Sequence, residues 1–103
     1  MSNFIFNEHG VCTNPKKTVI INTDKTNLVV KVCEVKGGWA GGYDYSVRGG
    51  QEGGASPVTE HNNVYSTEDD AVRSQLKYFE TRYPEFFSAP IKAYLSPKTL
   101  QLF

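Results

Sequence analysis

The sequence predicts an α+β fold: a three- to four-stranded antiparallel meander with one amphipathic helix packed on one face, in the order β-β-β-α, and a Pro-punctuated C-terminal extension. Three observations predict it. Residues 27–36 (NLVVKVCEVK) and 39–48 (WAGGYDYSVR) flank a Gly-Gly pair suited to a tight reversal. A β-branched run, 17–22 (KTVIIN), precedes them across a short polar segment. Further on, YSTEDDAVRSQLKYFETRYP carries apolar residues at helical spacing behind a capping signal. One domain spans 1–103, with sheet 17–48, loop 49–65, helix 67–83 and extension 84–103.

The first hairpin closes through a four-residue loop at 23–26, which pairs Ile21 with Leu28 and Val19 with Val30. In the second, Gly37-Gly38 supplies positive φ at both central positions of a primed turn. Leu28 then faces Val47, Val30 faces Tyr45 and Val32 faces Tyr43 on one side. Lys31 faces Asp44, Val29 faces Ser46 and Cys33 faces Gly42 on the other. Each good cross-strand pair contributes about 0.2–1 kcal/mol. A slip of one residue would turn both tyrosines to the wrong face. Gly41-Gly42 inside the third strand marks a bulge or a close backbone approach. The pairs Gly49-Gly50 and Gly53-Gly54 bracket Gln51-Glu52 and open a polar, turn-rich loop.

The helix begins at a Ser66 or Thr67 cap, with Glu68, Asp69 and Asp70 in the first turn where the dipole favours them. Val72, Leu76, Phe79 and Tyr83 form one stripe with Ala71 beside it, and Pro84 ends it. Burying Leu76 or Phe79 contributes about 1.5–3 kcal/mol each. In the extension Phe86, Phe87, Ile91, Tyr94 and Leu95 are apolar enough to pack, as a short helix around 91–95 or as an added strand. NFIFN near the N-terminus reads as another strand. Ile20 and Val29 fall on the sheet's second face and need cover from one of the termini.

Charge narrows the function. Lys+Arg and Asp+Glu both count 11, for a net charge of zero, so no overall field steers the chain to nucleic acid or to a basic partner. Neither GGWAGG nor GGQEGG matches GxGxxG, and no GK[ST] follows the glycines, which argues against phosphate cradling. His9, Cys12, Cys33 and His61 are the only thiols and imidazoles, and their spacing suits neither a four-ligand zinc site nor a Cys-His nucleophile pair. The expectation is a non-enzyme without catalytic, metal or cofactor residues. With no signal-peptide pattern and no apolar run of bilayer length, it is expected to be cytoplasmic, with free thiols and no membrane partner.

Binding readings remain. Arg48, Arg73, Lys77 and Arg82 with a stacking Trp39 would suit a nucleic-acid module of β-β-β-α type. Against it, Arg73 can pair with Asp69 one turn earlier, and Trp39 can pack under Lys36. The last residues, 99–103 (TLQLF), resemble the short peptide by which bacterial and phage proteins dock on the replication sliding clamp. Leu100, Leu102 and Phe103 match it, and Thr99 replaces its glutamine. The resemblance implies an accessory protein docked through an inserted apolar tail. The bland alternative is that LQLF folds back as an edge strand.

GGASPV followed by the capped YSTEDDAV helix resembles small accessory proteins of phages and plasmids. That resemblance implies a protein that blocks or recruits host machinery. The leading expectation is therefore a non-enzymatic binding protein of a phage or mobile element that occupies a host protein such as a defence nuclease, of the anti-CRISPR or anti-defence type. Its contact residues are expected among Trp39, Arg48, Gln51, Glu52, His61 and Tyr65, with Leu100, Leu102 and Phe103 in the tail. An exposed sheet edge offers a route to a homodimer.

Overall fold

The structure is a computed structural model and describes residues 3–96. Four antiparallel strands lie in the order β1 (Lys16–Asn22), β2 (Asn27–Val35), β3 (Gly38–Val47) and β4 (Glu52–Ser56). Two helices, α1 (Glu68–Arg82) and α2 (Pro84–Leu95), pack on one face, α1 over β2 and β3, α2 against α1 and β1. The expected α+β meander is present, with one more strand and one more helix than the three-strand, one-helix minimum.

The first hairpin closes as expected. Thr23 N–H donates to Thr26 O at 2.9 Å, and Ile21 faces Leu28. The register then shifts between Val19 and Ile21, so Val19 faces Val29, and Thr18, not Val19, faces Val30. A bulge sends two consecutive side chains to one side. Ile20 and Ile21 both pack against the main core, whereas Val19 is 58% exposed. The cover that Ile20 needs thus comes from the helices.

The second hairpin turns one residue earlier than expected. Lys36 and Gly37 form the turn and Val35 faces Gly38. Gly37 takes φ +90° while Lys36 stays out of the left-handed region, as a type II turn requires. Each partner moves by two, so Tyr43 faces Val30 and Tyr45 faces Leu28. A shift of two preserves faces, and both tyrosines stay on the helix side. Lys31 now faces Gly42 but still reaches Asp44 diagonally, Nζ to Oδ1 3.3 Å.

The expected loop 49–65 is instead organised in three parts. Arg48–Gly50 forms a 3-10 turn, and β4 pairs with β3 from Glu52 opposite Val47 to Ser56 opposite Tyr43. Its sequence, EGGAS, has low strand propensity, so its pairing comes from β3 rather than from its own residues. Residues 57–64 then leave the edge and cross to the second face. The chain returns at Tyr65, which exchanges two 2.8 Å backbone hydrogen bonds with Trp39. Gly42 permits the departure, because a Cβ there would run into the Ser56 carbonyl oxygen. Gly41-Gly42 is therefore a close approach and not a bulge.

Two cores result. The main one joins Leu28, Val30, Val32 and Val47 to Val72, Leu76, Phe79, Phe87 and Ile91. The smaller one, on the second face near the β2–β3 turn, comprises Cys12, Cys33, Ala40 and Val58, rimmed by Phe4, Phe6 and Val35. The N-terminal arm supplies that cover as a small loop-back with bridges from Phe6 to Cys12 and from Val11 to Thr59, rather than as a full strand. Thr67 caps α1, its hydroxyl accepting from Asp70 N at 3.0 Å. Pro84 ends α1 and also starts α2 at a position whose N–H needs no partner. Most of the C-terminal extension is thus a 12-residue helix.

Candidate functional site

The excursion 57–64 is held from both sides. The N-terminal arm grips it through Cys12 N–H to Val58 O at 2.8 Å and Glu60 N–H to Gly10 O at 2.9 Å. From the sheet side, Asn62 Nδ2 donates to Gly41 O at 2.9 Å and to Pro57 O at 3.2 Å, and Thr59 Oγ1 donates to Asn62 Oδ1 at 2.7 Å. Val58 is buried beneath, while His61, Asn63 and Val64 stay exposed. Beside them lies a polar cleft of about 320 Å³, lined by Ser56, His61, Asn62, Asn63, Tyr65 and Gln75 among others. Tyr65 is fixed in it by a 2.7 Å hydrogen bond with Ser74 on α1. Trp39 is bridged to Tyr65 by strand pairing and meets Phe4 edge-on at 6.0 Å.

His61 and Tyr65, with Trp39 bridged to Tyr65, are thus brought together. Arg48 and Glu52 are not part of that surface. They form an ion pair at 3.0 Å, and the Arg48 guanidinium lies 5.1 Å over the Phe86 ring. Glu52 also accepts from the Tyr83 hydroxyl, which sits 3.1 Å from the Tyr45 hydroxyl. The carboxylate holds the Tyr83 proton, and with Tyr45 it pushes that phenol up to about 12. Arg48 and Glu52 accordingly clamp the β3–β4 turn to the helices. Gln51 is exposed within that turn. Leu100, Leu102 and Phe103 lie outside the described residues.

The basic residues considered for nucleic acid separate too. Arg48 is engaged as above, and Arg73 pairs with Asp69 at 2.6 Å, as the spacing predicts. No ion pair among the described residues involves Lys77 or Arg82. These two flank an open depression of about 590 Å³ on α1, lined by Ser74, Lys77, Tyr78, Thr81 and Arg82. Tyr78 is 46% exposed and stacks on Tyr43 at 5.9 Å and 16°. Sequence reasoning passed over this tyrosine pair, although a large aromatic next to Phe79 and off the core stripe was the available signal.

Cys12 and Cys33 are free and buried together in the smaller core. Burial, then the neighbouring Cys12, push the Cys33 thiol up to about 12. His9 lies on the surface beside Glu8 at 3.9 Å. No helix among the described residues is long and apolar enough to cross a membrane. No family model, no curated protein and no solved structure matches this chain.

Proposed function

We propose that this chain is a non-catalytic binding protein of a phage or mobile element. In this reading it occupies a host protein and thereby inhibits or recruits it. The observation that carries the reading is the doubly fastened excursion 57–64, with His61, Asn63 and Val64 presented beside the Tyr65 cleft. A surface ordered before contact loses little freedom on binding. Asn and Tyr side chains combine adaptable hydrogen bonding with rigid contact area, a mixture suited to protein surfaces. The likeness to phage and plasmid accessory proteins in the GGASPV–YSTEDDAV region supports a host protein as the partner.

The test is affinity capture from a bacterial lysate, with the captured proteins identified by mass spectrometry. The comparison is the double variant N63R/V64E, both positions being exposed. The native chain is expected to retain one partner that the variant loses by about tenfold or more, with both chains unfolding at the same temperature. Equal capture by the two, or capture of nothing by the native chain, overturns the reading.

A further inference from the structure

The two edges of the sheet differ. β1 carries Lys16 and Lys17 and a bulge at Ile20, which are devices that discourage pairing with another chain. β4 has none of them. Gly53, Gly54 and Ala55 are exposed, and no hydrogen bond among the described residues links their backbone to anything but β3. On the helix side, α1 stands over β2 and β3; β4 meets the helices through Glu52, which the Tyr83 hydroxyl holds, while Gly53, Gly54 and Ala55 stay exposed. Gly54 faces Tyr45, whose ring lies 3.3 Å from where a Cβ would sit, so the tyrosine surface, with the Tyr43 and Tyr45 rings tilted 59° to each other, continues to the edge. Beside it the flank of α1 carries Tyr78, stacked on Tyr43, and Lys77 and Arg82, neither of which has a carboxylate partner among the described residues.

Resting on the binding reading above, we propose that β4 is the docking edge and that its occupant is an extended, acidic segment of the partner protein, added as a fifth strand. The backbone of that segment pairs with β4. Alternate side chains point toward the helix side, where an apolar or aromatic one lies on the Tyr43–Tyr78 pair and carboxylates meet Lys77 and Arg82. Charge selects this occupant over a second copy. A twofold axis through the centre of β4 passes near Gly54, opposite Tyr45, and the Tyr45 ring touches that of Tyr83, beside Arg82. Self-pairing would therefore bring the Arg82 side chains of the two copies toward each other.

The probe is an eight-residue peptide that alternates glutamate with valine around one central tyrosine, titrated into the isotope-labelled full chain and followed by amide shifts. Shifts are expected at Gly53, Gly54 and Ala55 and along residues 77–82. The double variant K77E/R82E, both positions exposed, is expected to weaken binding by about tenfold or more. Peptides N-methylated on odd or on even residues separate strand addition from mere contact: one is expected to lose binding and the other to keep it. No shift in β4, equal binding to K77E/R82E, indifference to both methylation patterns, or a dimer with protected β4 amides overturns the proposal. Lysate capture that survives K77E/R82E but fails in N63R/V64E overturns strand addition while keeping the binding reading. Capture unaffected by either variant overturns both.

Discussion

Tyr83 stands where both helices and the β3–β4 turn meet. It is the C-terminal cap of α1 and the N-terminal cap of α2, and its hydroxyl joins Glu52 to Tyr45. Its folded pKa of about 12 lies above the ordinary tyrosine value of 10.0. The fold thus prefers the neutral phenol. The resulting stability is fully present below about pH 10 and is lost as pH rises toward the folded value. Tyr83→Phe is expected to be less stable than the native chain at neutral pH and to lose less further stability above about pH 10, measured by urea unfolding across pH. Phenolate absorbance is expected to show Tyr83 titrating late in the native chain, beside Tyr43, whose phenol burial also pushes up, and Tyr83 alone moving earlier in Glu52→Gln. At this scale, local pairs were legible. Thr67 with Asp70 and Arg73 with Asp69 follow from spacing along one helix. Tyr83 with Glu52, 31 residues apart, depends on how the helices seat on the sheet, which no local pattern encodes.

Among the elements, β2, β3 and α1 were legible because apolar period and end signals agree in each. The turn was misplaced by one residue because a type II turn needs its positive φ only at Gly37, which leaves Gly38, itself at φ +156°, to the strand. The faces survived, since pairing that moves by two leaves side-chain parity intact. The bulge at Ile20 was hidden because Val19, Ile20 and Ile21 are interchangeable in hydrophobicity, and only packing decides which two turn inward. β4 was illegible because glycine carries no alternation to read. Gly42→Ala tests the crossing of β3 by the departing chain. Its Cβ meets main-chain atoms of Ser56 and Pro57 that have no rotamer to yield. The expected loss is about 1–3 kcal/mol in denaturant unfolding. Gly49→Ala, where nothing lies within 4 Å of the new Cβ, is the control for positive-φ strain alone, at about 1 kcal/mol.

As a whole the molecule is a slab of 40 × 38 × 20 Å. Its thickness corresponds to one sheet and one helix layer about 10 Å apart. The helices cover one face, while the arm covers only the turn end of the other. Removing residues 1–9 takes away Phe4 and Phe6 and leaves the main core intact. Such a chain is expected to remain folded, with faster hydrogen exchange at residues 57–64 and weaker partner capture; unchanged exchange there would show that the arm does not order the excursion. The placement of this arm was not legible, because FIF and the strand it covers carry no charge pattern that pairs them.

The arm also seals a chemical clock. Cys12 rides on the lid and Cys33 sits in the strand below, so an alkylating reagent reaches the deeper sulfur only during moments when the lid lifts. The rate of mass gain at Cys33 in mild conditions therefore counts those openings. A guest that grips the fastened excursion must hold the lid shut and slow the clock, which lets occupancy be read from the protein before the guest has been identified.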